Sequence, residues 1–95
     1  MEIHQVAKAL SSQTRIKLLK ILNNKQMSSM AIFTEYNIKN NDNKHRESIY
    51  RSLEILVKAG ILDKKYDVQS KEILYQIKIN EVKINLKNLE CEMIG

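Results

Sequence analysis

Residues 45–62 read "HRESIYRSLEILVKAGIL", and this stretch decides the fold. Its first half carries His45, Arg46, Glu47, Ser48, Tyr50 and Arg51, whereas its second half is almost wholly apolar and runs into Gly60. One continuous helix accounts for both halves. Ile49, Leu53, Leu56 and Val57 fall in a single stripe at helical spacing. A glycine just past the last periodic residue supplies the left-handed conformation in which helices commonly stop. At about 100° per residue, an inward stripe turns Lys44, Glu47, Ser48, Arg51 and Lys58 outward. Ile55 projects about 240° from Ile49 and is expected to lie under whatever follows Gly60. Asp42 or Asn43 is the expected cap, so the helix is predicted over about 43–59.

After Gly60 the apolar period changes. "ILDKKYD" and "EILYQIKI" are strand-like, with Ile73, Tyr75, Ile77 and Ile79 alternating against Leu74, Gln76 and Lys78. "VQSK" between them reads as a hairpin tip, giving a ribbon over about 61–79.

Before the long helix, three shorter ones are predicted. Ile3, Val6, Ala7 and Leu10 form a stripe over 2–10. Ser11 or Ser12 caps a second helix running to about Asn23, with Ile16, Leu19 and Leu22 inward. Ser28 or Ser29 caps a third, where Ile32, Phe33 and Tyr36 supply the contacts and Asn37 is a candidate left-handed stop. "KNNDNK" is a polar loop. At the other end, Asn80 caps a last helix over 80–93, in which Val82, Leu86, Leu89 and Met93 recur at the spacing of a helix–helix seam.

The expected fold class is therefore mostly α (α+β). Three mid-chain helices followed by a two-stranded β wing make a winged helix-turn-helix, here with flanking terminal helices. The 95 residues suit one domain over 1–95, and a chain this short buries only about two-thirds of its unfolded surface. The sequence has no proline and two glycines, so its turns fall to Asn, Asp and Ser. No apolar run approaches the ~20 residues of a membrane span, and the N-terminus lacks a signal-peptide pattern. A single cysteine forms no internal disulfide and points to a reducing cytoplasm. Sixteen Lys+Arg against eleven Asp+Glu, a net charge of +5, favours a polyanionic partner.

The segments "VAKALSSQTRIKLLKIL", "AIFTEYNI", "SIYRSLEILVKAGIL" and "EILYQI", in that order, resemble the ArsR-type winged-helix transcriptional regulators, with a pattern shared by MarR-like and other winged helices. The likeness runs from about Val6 to Leu89. It implies a DNA-binding regulator, a repressor by operator occlusion, and dimerisation through the terminal helices. Two features depart from it. Ten residues separate Ile38 from Ile49, so either the turn is an enlarged loop or the long helix begins early. "KQMSSMAIF" also lacks the cysteine pair by which many such proteins sense metals.

In this reading Arg51 is the base reader, because its guanidinium fork matches guanine O6 and N7. Glu47, Ser48 and Tyr50 share the groove-facing segment, with Ser48 and Tyr50 able to reach a base or a phosphate. Lys44, His45 and Arg46 sit at the helix start, where phosphates also meet the helix dipole. Lys64, Lys65 and Lys71 supply wing contacts to the backbone, although lysines on a ribbon also guard its edges. The expected partners are double-stranded DNA and a second copy of the chain, joined through Ile3, Val6, Leu10, Val82, Leu86, Leu89 and Met93. Two such copies would meet an inverted-repeat operator with half-sites one turn, ~34 Å, apart.

Neither a cofactor, a metal site nor a small-molecule ligand is indicated. Cys91 is placed on the outer face of the last helix as an incidental thiol rather than a sensor with His4 and Glu92. No glycine-rich phosphate loop or nucleophile–base grouping occurs, so the chain is not expected to be an enzyme. The alternative from another class is a winged helix used for protein–protein contact in a larger assembly.

Overall fold

A computed structural model describes residues 3–95. Helix α1 (Ile3–Leu10) meets α2 (Gln13–Ile21) at a tight corner. Ser12 caps α2 by accepting from the Arg15 N–H. The Arg15 side chain then turns back, its Nε donating to the Ala9 carbonyl at 2.7 Å and a terminal nitrogen donating to the Lys8 carbonyl at 2.9 Å. A cation thus sits on the unsatisfied carbonyls at the end of α1. The buried residues of α2 are Leu18 and Ile21, with Leu22 following. Of the face expected from Ile16, Leu19 and Leu22, Leu22 is buried and Leu19 packs half-buried on the core, whereas Ile16 is exposed.

Strand β1 (Met27–Ser28) leads directly into α3 (Ser29–Lys39), capped by Ser28. Ile32 and Tyr36 are fully buried and Phe33 is half-buried. Helix α3 does not stop at Asn37 but continues to Lys39. Residues 40–45 form the enlarged loop, and α4 (Arg46–Lys58) starts at Arg46 with His45 as its cap. Neither Asp42 nor Asn43 is that cap, and Asn43 has φ 45 in the loop. On α4, Ile49, Leu53 and Leu56 are buried as expected, while Val57 and Ile55 are half-buried against the core.

Gly60, at φ 81, ends α4. Its N–H donates to the Val57 carbonyl and the Ile61 N–H donates to the Leu56 carbonyl, both at 3.0 Å, the paired bonds of a Schellman stop. The wing follows as β2 (Leu62–Asp67) and β3 (Glu72–Ile77), antiparallel, with Leu62 opposite Ile77 and Lys64 opposite Tyr75. Asp67 closes the tip by accepting from both the N–H and the hydroxyl of Ser70. These charge-favouring bonds hold the Asp67 carboxyl below its ordinary pKa. β1 pairs with the other edge of β3, so the wing belongs to a three-stranded sheet of order β1-β3-β2.

The C-terminal segment differs from its expected helix. Residues 80–93 form no helix; they lie mainly in a second hairpin, β4 (Glu81–Asn85) and β5 (Glu90–Ile94). Its turn is built from asparagines. Asn85 Oδ1 accepts from the N–H groups of Lys87 and Asn88, and Asn88 Oδ1 accepts from that of Glu90. Opposite residues share a face, so Val82 with Met93 and Ile84 with Cys91 make one apolar side. β5 packs on α1, and Cys91 is buried rather than exposed.

One cluster holds the domain together: Leu18, Leu22 and Ile32, Tyr36 from the first helices, Leu53 and Leu56 from α4, Leu62 and Tyr75 from the wing root. Each fully buried side chain of this size contributes about 1.5–3 kcal/mol of transfer free energy. No helix among the described residues is long and apolar enough to cross a membrane.

Candidate nucleic-acid interface

The beginning of α4 is positioned by the loop before it. Tyr36, buried at the centre of α3, needs a partner for its hydroxyl, and donates it to Asp42 Oδ2 at 2.7 Å. That bond lowers the Asp42 pKa, while burial raises that of Tyr36. Lys17 adds an ion pair to the same oxygen at 3.6 Å. At the next residue of α3, the Asn37 carboxamide brackets the backbone of Lys44. Its Oδ1 accepts from the Lys44 N–H, and its Nδ2 donates to the Lys44 carbonyl, both at 3.1 Å. Asn40 N–H and Nδ2 both donate to the Tyr36 carbonyl. The polar "KNNDNK" segment is thus laced to α3, and α4 departs from a fixed origin.

From that origin, Arg46, Glu47, Tyr50 and Arg51 are exposed on one side of α4, with Tyr50 at 51% exposure. They face a groove whose other wall is the start of α3, where Ser29, Met30 and Phe33 lie. Lys44 and His45 stand in the loop just before the helix and share a smaller recess with Phe33 and Arg46. Lys44 is half-buried and Ser48 is half-buried, so neither projects as freely as helical spacing suggested. Met30 and Phe33 are additions to this face, Phe33 having been expected only as an apolar contact of the third helix. Their signal was available only in three dimensions, because they belong to a different helix.

On the wing, Lys65 and Lys71 are exposed, and Lys71 occupies the tip with φ 59. Lys64 is engaged otherwise. Its Nζ donates to both oxygens of Glu54, at 2.8 and 3.1 Å, and the buried ring of Tyr75 directs its hydroxyl to Glu54 Oε2 at 2.9 Å. The Glu54 carboxylate raises the Lys64 pKa, and burial, then Glu54, pushes the Tyr75 phenol well above its ordinary value. Glu54 was also absent from the sequence-derived set. Its signal was present, since it lies about 140° from Ile49 on the outer side of α4.

The residues expected at a dimer seam are separated by the hairpin. Ile3 and Leu10 are half-buried, and Val6 is buried within its own chain. Val82 and Met93 are half-buried on the apolar side of β4–β5. Leu86 and Leu89 stand at its turn, 78% and 63% exposed. Among the described residues, no three His, Cys, Asp or Glu side chains are grouped to hold a metal ion.

No family model matches the sequence, and no curated protein matches it. Solved structures do. The chain is similar to the ferric uptake regulator of Vibrio cholerae, with a TM-score of 0.64 and 16% identity over 97% of this chain and 76% of that one. It is similar to the Pseudomonas aeruginosa ferric uptake regulator with manganese, at 0.63 and 14% over 100% and 75%. A third match, described as a prokaryotic transcription factor, has a TM-score of 0.61 and 19% identity over 88% and 70%. The likeness is one of fold, the winged helix, and it does not single out the ArsR type.

Proposed function

We propose that this chain is a sequence-specific double-stranded DNA-binding transcriptional regulator that places α4 in the major groove and the wing on the backbone. The observation that carries the reading is the exposed Arg46–Tyr50–Arg51 face of α4 beside the basic wing, on a helix anchored from behind by Ile49, Leu53 and Leu56. A major groove about 12 Å wide admits such a helix, whose N-terminal half meets base edges. Arg51 reads guanine, and Tyr50 and Ser48 reach a neighbouring base or phosphate. Lys44, His45 and Arg46 meet phosphates near the helix start. Lys65 and Lys71 extend the contact along the backbone from the wing.

The fold shared with ferric uptake regulators supports this reading over a winged helix used for protein–protein contact in a larger assembly. The regulator acts as a homodimer that represses by covering its operator, and the exposed leucines of the β4–β5 turn are the surface best suited to the second copy. The deciding experiment is selection of bound duplexes from a random pool at stated salt. An enriched inverted repeat, with affinity falling steeply as salt rises, is the expected result. Equal retention of all sequences rejects a sequence-specific regulator.

A further inference from the structure

We infer that Glu54 is an internal counterion that withholds Lys64 from nucleic acid and latches the wing root to α4, so that the wing meets DNA through Lys65 and Lys71 instead. The inference rests on the DNA-binding reading above. A carboxylate on the outer side of a recognition helix faces a polyanion, where it repels phosphates unless a cation accompanies it. Here the cation comes from β2. Both Glu54 oxygens are occupied by Lys64 Nζ, and Oε2 also accepts from the Tyr75 hydroxyl. Because Lys64 and Tyr75 are directly opposite on β2 and β3, one carboxylate grips both strands of the wing.

The competing role is direct readout, since glutamate can accept from cytosine N4. A reading carboxylate needs its oxygens aimed into the groove, and here both are turned to Lys64, with Tyr75 also on Oε2. Lys64 is committed in the same way. Glu54 lines the end of the groove that holds Arg46, Glu47, Tyr50 and Arg51, and side-chain exposures of 32% for Glu54 and 36% for Lys64 leave the pair partly open beside them. The cost of the latch is one phosphate contact. Its benefit is discrimination, because phosphate contacts strengthen binding to every duplex while base contacts do not.

The test uses Glu54→Gln, Lys64→Gln and the double variant, each titrated against the selected duplex and a scrambled one over a salt series. Glu54→Gln should tighten binding to both duplexes and steepen the dependence of log K on log salt by about 0.9, one phosphate's worth. The ratio between the duplexes should narrow. Lys64→Gln alone should leave the slope unchanged, and in the Glu54→Gln background it should restore the wild-type slope. A Lys64→Gln slope already shallower by about 0.9 overturns the inference, as does a Glu54→Gln effect confined to one base position. A DNA-free readout separates the latch from the function. Alkaline absorbance titration should show one tyrosine ionising at lower pH in Glu54→Gln than in wild type. If wild type binds no duplex, the DNA reading fails by itself; if the titrations also coincide, the latch fails too.

Discussion

Asn37 holds Lys44 by both of its backbone groups, seven residues on, through one carboxamide with two 3.1 Å hydrogen bonds. An asparagine inside a helix is an indifferent helix former. Its value here lies in matching the backbone donor and acceptor of one residue at once, which no carboxylate or aliphatic side chain does. The start of α4 is thereby set from α3.

Replacing Asn37 with Leu should remove both bonds and leave a partly buried N–H and carbonyl to find water. A loss of about 1–3 kcal/mol is expected in denaturant unfolding. Amide exchange over residues 40–45 should accelerate more than exchange at Leu53 or Leu56. Asn37→Asp, which keeps the acceptor and loses the donor, should fall between.

Arg51→Ala should relax preference at one base position by ~1–3 kcal/mol while leaving the thermal midpoint nearly unchanged, because the side chain is exposed. Lys65→Ala should instead weaken binding to all duplexes alike and reduce the salt slope by about one contact. Competition binding across single-base variants of the selected site checks both.

Asp42 ties stability to acid. The Tyr36 hydroxyl bond holds its folded pKa below the ordinary aspartate value, so the native state favours the carboxylate. Its contribution is complete above the unfolded value and is lost as pH falls through the lower folded one. Asp42→Asn should therefore show a shallower decline in thermal midpoint below about pH 4 than wild type.

Leu53→Ala should cost about 2–5 kcal/mol, since Leu53 is fully buried in the central cluster. Urea unfolding measures it.

Leu86→Glu should shift a dimer to monomer in sedimentation at micromolar concentration with the fold intact. Leu86 is 78% exposed within its own chain, so a change in helix content on substitution would count against a role confined to association.

The parts legible in the sequence were those governed by local chemistry. Ser12 and Ser28 cap because a hydroxyl needs only the N–H three residues on, and Gly60 stops α4 because a left-handed residue needs no partner elsewhere. The inward stripe of α4 was legible for the same reason. The C-terminal segment failed for a physical cause. Val82, Leu86, Leu89 and Met93 have helical spacing, yet Val82–Ile84 and Cys91–Met93 also alternate with period two, and the asparagines between them can build a turn. Leu86 and Leu89 were assigned to a seam when they flank that turn, and Leu89 adopts φ 56 within it. Glu54 and Asn37 were missed because their partners, Lys64 with Tyr75 and Lys44, come from other elements or across the turn.

Ile61 is a main-chain bolt. Its N–H is given to the end of α4 at Leu56, and its carbonyl accepts from Lys78, just beyond β3, at 2.9 Å. With Gly60 held in the same stop, no slack residue is left between α4 and β2 to act as a hinge. The two must turn together as one lever. For the DNA-binding dimer proposed above, a signal that loosened the grip on DNA would then work by tilting or separating whole levers, and the spacing between copies would be the variable that regulation can reach.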